Sequence, residues 1–269
     1  MEQKPRLILD DFRYLCGIMS KRSIGIIPAR YASSRFPGKP LARLGNMTMI
    51  ERVVCQASKA LDRVIVATDD DRIANEVRRF GGEVIMTSAT HRSGTDRVAE
   101  AYSSSGAEVD VIVNIQGDEP FVEPEQIKQV IDLFENPATD IATLVRPFDP
   151  SRGFEALFDP NLVKVVTGND GKALYFSRSV IPYVRGVEWQ KWLDTTRYLT
   201  HVGMYAYRPA VLAEIVKLPQ SPLEKAESLE QLRWLQAGYS IATAETTYDN
   251  IGIDTPADLE SAIAYLSEK

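Results

Sequence analysis

The sequence contains few cysteines and histidines, and these shortages exclude several kinds of site. Cys16 and Cys55 are the only cysteines and form no C-x-x-C pair, so we expect reduced thiols in the cytoplasm, with no disulfide framework or structural zinc. Because His91 and His201 are the only histidines, a histidine-rich metal site is excluded. A bound metal would need oxygen ligands, which favours Mg²⁺ or a similarly hard ion.

Long apolar runs and an excess of positive charge are also lacking. No stretch of about 18 apolar residues occurs, so no membrane span is predicted. The 31 Lys and Arg residues against 37 Asp and Glu give a net charge of -6, which argues against a general binder of nucleic acid or anionic membranes. Asp10 and Asp11 interrupt the region where a signal peptide needs an apolar core, so residues 1–22 are interpreted as an N-terminal extension.

Short apolar segments alternate with helical patterns through the first half of the chain. A length of 269 residues suits one large α/β domain or two small ones. The alternation favours a mostly parallel sheet with helices on both faces. The predicted strands are residues 24–27, 64–67, 84–86 and 109–115, and the predicted helices are residues 49–57, 70–80, 95–102 and 125–134.

A hairpin signal marks a different arrangement in the second half. Residues 168–171 (GNDG) separate two apolar runs, which predicts an antiparallel pair. We therefore predict a single α/β domain over residues 23–269, with an antiparallel insertion over about residues 150–207. The further predicted elements are strands at residues 163–166, 174–176, 202–207 and 241–244, and helices at residues 209–218, 223–237 and 256–266.

The loop after the first predicted strand concentrates positive charge. Arg30, Arg35 and Lys39 fall within ten residues that contain no acid. The first such loop of an open α/β sheet is a common phosphate site, and guanidinium and ammonium groups suit phosphate oxygens. A solvated basic loop is the alternative. Neither a G-x-G-x-x-G nor a Walker A pattern occurs, which disfavours a dehydrogenase or a P-loop protein.

Two acids are candidate ligands for a hard metal ion. Asp118 follows the apolar strand predicted to end at residue 115, where the ligand crevice of such a sheet lies. Asp254 precedes the last predicted helix. From the residues alone, Asp118 also suits a simple turn, and either Asp254 or Thr255 suits a helix N-cap.

A series of motifs resembles the CMP-Kdo synthetases, the 3-deoxy-manno-octulosonate cytidylyltransferases, over about residues 23–266. The first twenty-odd residues fall outside the family pattern, and residues 45–47 (GNM) replace a more usual NGK. The motifs occur in the family order. They are residues 26–41 (IIPARYASSRFPGKPL), 91–97 (HRSGTDR), 114–120 (NIQGDEP), 175–178 (YFSR), 201–205 (HVGMY), 221–224 (SPLE), 229–233 (LEQLR) and 253–256 (IDTP).

The resemblance implies a nucleotide-diphospho-sugar transferase-like fold, a homodimer, and Mg²⁺-dependent activation of Kdo with CTP for lipopolysaccharide biosynthesis. It assigns Asp118 and Asp254 to the metal and, with Arg30 and Lys39, to catalysis. The residues implied for the nucleotide are Ala29, Arg30, Arg35, Lys39, Ser93 and Gly94. The residues implied for the sugar are Gln116, Arg178, Arg185, His201, Tyr205, Glu230 and Gln231.

Several of these residues also have ordinary structural interpretations. Ser93 and Asp96 have capping-box spacing, and Arg97 suits a solvated helix position as well as a ligand. His201 suits a hydrogen-bonded core histidine, and Tyr205 a half-buried strand position. Glu230 and Gln231 suit the exposed face of a helix. Exposed apolar residues of the insertion, Trp189 and Trp192, are candidates for a dimer interface.

Two alternative functions stay open at this point. A related cytidylyltransferase that acts on 8-amino-Kdo or a sialic-type sugar acid would carry much the same basic loop. A non-catalytic nucleotide-binding regulator of the same fold would be expected to lack one of the two metal carboxylates, and both candidates are present here.

Overall fold

The computed structural model describes residues 21–32, 35–249 and 252–267, so Cys16 and nearly all of the predicted extension lie outside the described residues. The strands are β1 (Ser23–Ala29), β2 (Arg43–Leu44), β3 (Met47–Thr48), β4 (Val64–Thr68), β5 (Glu83–Met86), β6 (Val111–Asn114), β7 (Ile141–Pro147), β8 (Lys164–Thr167), β9 (Ala173–Ser177), β10 (Leu199–Tyr207) and β11 (Ile241–Glu245). The helices are α1 (Met49–Ala57), α2 (Asp71–Arg79), α3 (Gly94–Ser104), α4 (Pro124–Asp132), α5 (Trp192–Thr195), α6 (Pro209–Ile215), α7 (Pro222–Glu227), α8 (Gln231–Gln236) and α9 (Pro256–Ser267).

Within these residues, nine strands form one mixed sheet, ordered β11-β7-β10-β6-β1-β4-β5, with β8 pairing with β10 and β9. The half of the sheet around β1 is parallel, whereas β10 runs antiparallel to β6, β7 and β8. The predicted mixed α/β class is thereby confirmed. Because β1, β4 and β6 are parallel, the loops that follow them meet at one edge of the sheet.

Alternating side chains of the central strands build two apolar cores, one on each face. Ile27 packs with residues of α1, α2 and α4, whereas its neighbour Ile26 packs with residues of α3, α6 and α8. All residues of β1 from Ile24 to Ile27 that carry a side chain are fully buried. This two-sided burial explains why the strand is a continuous apolar run.

Three features of the second half differ from the predictions. The strand β7 was not predicted, although it lies between β10 and β11 in the main sheet. The strand at residues 202–207 begins earlier, as β10, and belongs to the central sheet, so the antiparallel pairing of the predicted insertion is continuous with that sheet. The helix predicted over residues 223–237 is interrupted at Ser228, whose φ of 51° is left-handed.

The region before β10 contains a small apolar core of its own. Phe154, Leu157 and Tyr198 are buried in it together with Trp192. Trp192 is only 6% exposed, so its assignment as a surface residue was wrong, because its ring packs edge-on against Phe154 and its indole N–H donates to the Val187 carbonyl. None of the helices in the described ranges combines the length and apolar character needed to cross a membrane.

Candidate active site

A cavity of about 500 Å³ opens where β1 and β6 end. Its wall combines the loop after β1, the start of α3, the loop after β6 and the segment before α9. The sequence placed candidate residues on all four of these segments, and the fold brings them together. The candidates that line the cavity are Ala29, Arg30, Arg35, Lys39, Gly94, Gln116, Asp118 and Asp254.

Two acids and two cations form an ion-pair cluster within this cavity. The Lys39 ammonium donates to Asp118 Oδ2 at 2.6 Å and to Asp254 Oδ1 at 3.1 Å. The Arg35 guanidinium lies 3.0 Å from Asp254 Oδ2. The Lys39 side chain is only 12% exposed, whereas those of Asp118 and Asp254 are 33% and 48% exposed. The carboxylates therefore keep access to solvent and to a ligand.

Local main-chain contacts hold the two acids beside one another. The Ile253 N–H donates to the Asp118 carbonyl at 3.0 Å, which joins the loop after β6 to the segment before α9. The Thr255 hydroxyl accepts the Asp258 N–H, and the Asp258 carboxylate accepts the Thr255 N–H in return. Thr255 thus caps α9, and the Asp254 carboxylate remains directed at the cations.

Gly38 gives Lys39 its position at the end of the basic loop. Its φ is 72°, and its N–H donates to the Tyr31 carbonyl at 2.9 Å. A side chain at this position would meet the Tyr31 ring at 3.0 Å. Only glycine combines a left-handed backbone with this close approach, so the loop folds back and starts a short 3-10 turn at Lys39.

The start of α3 forms the opposite wall of the cavity. The Ser93 hydroxyl accepts the Asp96 N–H, and the Asp96 carboxylate accepts the Ser93 N–H, so the predicted capping box is confirmed. Gly94 lines this cavity, whereas Ser93 lines a second cavity of about 680 Å³. Arg97 also lines the first cavity and is 1% exposed.

The environment of Arg97 rules out the solvated helix position. Its guanidinium donates to the Thr87 hydroxyl at 2.5 Å and lies 3.2 Å from the Asp69 carboxylate. From the sequence its role stayed open. The available signal was its spacing on α3, since Arg97 adjoins Val98 and precedes Ala101 by four residues, and these residues share the buried helix face.

Comparisons with known proteins show the family to which the chain belongs. A family model described as cytidylyltransferase matches residues 24–242. The chain belongs to the cytidylyltransferase family. Its relatives include a 3-deoxy-manno-octulosonate cytidylyltransferase of Parabacteroides distasonis, 57% identical over 91% of this chain and 98% of the relative. Another is the enzyme of that name from Thermodesulfovibrio yellowstonii, 47% identical over 89% of this chain and 96% of the relative.

Solved structures give the same picture. A structure of CMP:2-keto-3-deoxy-manno-octonic acid synthetase complexed with CTP matches this chain with a TM-score of 0.84. The two share 42% identity, and the match covers 92% of this chain and 99% of that one. A thymidylyltransferase-like structure from Bacillus anthracis, at 18% identity and a TM-score of 0.62, shares the fold alone.

In this cytidylyltransferase, the candidate sugar residues occupy several different environments. Gln116 lines the first cavity, and its amide donates to the Gly203 carbonyl at 3.1 Å. Glu230 lines the second cavity and accepts a hydrogen bond from the Thr95 hydroxyl at 2.5 Å. Gln231 is 5% exposed, so the exposed helix face predicted as its alternative is wrong. Its side-chain nitrogen has no hydrogen-bond partner among the described residues, but Gln231 lines neither cavity, so its role toward the sugar stays a prediction.

His201 and Tyr205 lie on β10 in apolar surroundings. His201 contacts the Thr143 hydroxyl at 3.1 Å and packs edge-on against Phe176, as the core interpretation expects. Burial lowers the pKa of His201 to about 4, so the imidazole is neutral at pH 7. Burial also raises the pKa of Tyr205 well above its ordinary value. Their roles toward a sugar stay predictions.

Glu230 combines partial burial with hydrogen bonding. Burial raises the pKa of its carboxyl, and the hydrogen bond from Thr95 together with the nearby Arg233 partly offsets that rise. Since Thr95 belongs to the first turn of α3, this contact connects α8 to the helix that borders the first cavity. The start of α3 borders both cavities, through Gly94 in the first and Ser93 in the second.

The two arginines predicted to bind a sugar carboxylate differ from each other. The Arg178 guanidinium donates to the main-chain carbonyls of Pro160, Glu227 and Ser228 at 2.7, 2.6 and 3.3 Å. These hydrogen bonds therefore stabilise the turn at Ser228 that separates α7 from α8. Arg185 is exposed. A role of either residue toward the sugar stays a prediction.

Proposed function

We propose that this protein transfers the cytidylyl group of CTP to Kdo and releases pyrophosphate. The anomeric hydroxyl oxygen of Kdo forms a bond to the α-phosphorus, the bond from that phosphorus to the bridging oxygen of the β-phosphate breaks, and the hydroxyl proton passes to solvent. The observation that carries the proposal is the convergence of Arg30, Arg35, Lys39, Asp118 and Asp254 on one cavity in a chain so similar to named Kdo cytidylyltransferases.

The cations of the basic loop suit the triphosphate. Arg30 and Arg35 can each present a forked pair of N–H donors to phosphate oxygens, and Lys39 adds a mobile point charge. Negative charge grows on the departing pyrophosphate as the bond to the α-phosphorus breaks, so fixed cations here favour the transition state. For the nucleoside we propose contacts with Gly94, which lines this cavity, and with the adjacent Ser93, which lines the second cavity.

The two carboxylates suit Mg²⁺. Both contact one cation, Lys39, so their nearest oxygens can be no farther apart than the sum of 2.6 and 3.1 Å. Mg²⁺ is often held by one or two carboxylates with water and substrate phosphates. Among the described residues no group of three or more His, Cys, Asp or Glu is arranged to hold a metal ion. The two carboxylates would therefore rely on water and phosphate oxygens to complete the coordination of the ion. When bound, Mg²⁺ would lower the pKa of the sugar hydroxyl and shield the repulsion between phosphate and sugar carboxylate.

Pyrophosphate release tests the proposal. The rate with CTP and Kdo should exceed the rates with ATP, GTP or UTP, and those with 8-amino-Kdo or N-acetylneuraminate. Asp118→Asn should lower the rate by about a hundredfold or more because one of two carboxylates is lost. Asp62→Asn, at an exposed acid outside the cavity and outside the region before β10, should match the wild type. CTP binding without turnover, or full activity of Asp118→Asn, would refute the assignment.

We also propose that the protein forms a homodimer through the region before β10. Phe158 and Tyr183 are 55% and 73% exposed, and Trp189 is 39% exposed. The Phe158 and Trp189 rings pack edge-on, with centroids 6.0 Å apart. Exposed apolar groups of this kind favour an interface. Sedimentation velocity should show a dimer for the wild type and a monomer for Tyr183→Glu, whereas a monomeric wild type would contradict the proposal.

A further inference from the structure

The ammonium of Lys39 lies between the two acids assigned to the metal. It makes hydrogen bonds of 2.6 and 3.1 Å to Asp118 and Asp254, which come from loops 79 and 215 residues away in the chain. With a side chain only 12% exposed, the ammonium is directed at the carboxylates more than at the open cavity. The ammonium therefore neutralises the charge of two carboxylates that would otherwise repel each other.

A divalent cation held by the same two carboxylates would need the place that this ammonium occupies. Mg²⁺ binds oxygen at about 2.1 Å, so a shared ion would draw both carboxylates inward and leave no room for an ammonium between them. Two cations a few ångströms apart also repel by several kcal/mol at a partly exposed site. Lys39 and the metal are therefore alternatives in this position.

We propose that Lys39 acts as a built-in competitor for the metal position in the free protein and is drawn off by the incoming triphosphate. This inference rests on the proposed function. Lys39 has a flexible four-carbon stem, and phosphate oxygens in the same cavity offer its ammonium new acceptors. A single movement of the Lys39 ammonium would thus free the two carboxylates and supply a cation to the triphosphate. The protein should bind a divalent cation weakly alone and tightly together with nucleotide.

Arg30 provides a matched comparison. It lines the same cavity and carries the same charge, but among the described residues it forms no ion pair with Asp118 or Asp254. Replacing Arg30 removes one positive charge from the loop without freeing the carboxylates. Replacing Lys39 removes the same charge and also frees them. The difference in metal affinity between the two variants therefore measures the effect of the contact between Lys39 and the carboxylates, apart from the general change in charge.

The experiment measures Mn²⁺ binding to the nucleotide-free protein by calorimetry and by the loss of the electron paramagnetic resonance signal of free Mn²⁺. Lys39→Met should bind Mn²⁺ about tenfold tighter than the wild type or more, and Arg30→Met should stay within about threefold. Asp118→Asn, combined with Lys39→Met, should remove the gain. Equal affinity in Lys39→Met and Arg30→Met, or weaker binding in Lys39→Met, would overturn the proposal.

A second variant and a second readout guard against misfolding. Lys39→Gln keeps a polar side chain of moderate length and should also show tighter Mn²⁺ binding. A ligand that binds only the folded state raises the melting temperature of the protein. Added Mn²⁺ should therefore raise the melting temperature of both Lys39 variants more than that of the wild type. Active wild-type protein with no such difference would refute the role of Lys39 and leave the cytidylyltransferase assignment intact.

Discussion

The neutral imidazole of His201 should make the folded state sensitive to mild acid. The ring packs between Phe176 and Tyr205, at centroid distances of 5.2 Å from each, and contacts the Thr143 hydroxyl. Burial lowers its pKa from 6.5 to about 4. Between those two pH values the unfolded chain binds a proton that the folded chain does not. Stability is therefore complete above the unfolded pKa and is lost as the pH falls toward the folded one.

The size of the effect follows from the shift. Each pH unit in that window is worth about 1.36 kcal/mol, so the full shift corresponds to about 3 kcal/mol, lowered somewhat by the partial exposure of the residue. Between about pH 7.5 and about pH 5, this residue should account for about 2 kcal/mol of lost stability. For a protein stable by about 5–15 kcal/mol, that change is readily measured.

Urea unfolding of the wild type and of His201→Gln at both pH values checks this expectation. Other groups also titrate in this range, so the comparison is the difference between the two proteins. His201→Gln is expected to be less stable than the wild type at neutral pH, and the gap should narrow by about 2 kcal/mol at the lower pH. If the two proteins lost stability in parallel, the imidazole would have to be protonated or solvated in the folded state.

Three further predictions concern single positions. Gly117→Ala should weaken CTP binding several-fold by calorimetry, because its Cβ would lie 3.0 Å from the Pro28 carbonyl at the floor of the cavity; unchanged affinity would contradict this. Thr255→Val should lower the free energy of unfolding by about 1 kcal/mol through the lost cap of α9, and an unchanged urea midpoint would refute that role. Arg178→Gln should cost about 1–3 kcal/mol because three carbonyls lose a charged donor, whereas Arg185→Gln should stay within about 0.5 kcal/mol. Equal effects of the last two would contradict the contacts of Arg178.

The parts of the site nearest to strong strands could be predicted from the sequence. Apolar runs identify β1 and β6, and the loops that follow parallel strands share one edge of the sheet. Lys39 and Asp118 could therefore be assigned to one crevice from their positions in the chain. Asp254 needed the motif resemblance, because a cap position explains an acid at a helix start equally well.

The features that were missed depend on contacts distant in the chain. The strand β7 was missed although residues 141–145 (IATLV) form a buried, mostly apolar run, and its place between β10 and β11 depends on pairing that the sequence does not show. The break at Ser228 interrupts a helical spacing that continues on both sides, and a left-handed serine gives no local signal. Trp192 is buried by Phe154, a residue far away along the chain.

Charge type suggests which ligands a side chain could bind, but it does not by itself predict the contacts of the free protein. Cationic side chains suggest a triphosphate ligand and acidic side chains suggest a hard metal ion. The five side chains concerned line one cavity. When neither ligand is bound, the same electrostatics brings the opposite charges together, as Lys39 and Arg35 do with Asp254. A site that binds both an anion and a cation contains side chains of both signs. These side chains should form ion pairs with each other when no ligand is bound. If these residues bind the triphosphate and the metal as proposed, ligand binding would be an exchange of partners in which each charge loses one counterion and gains another.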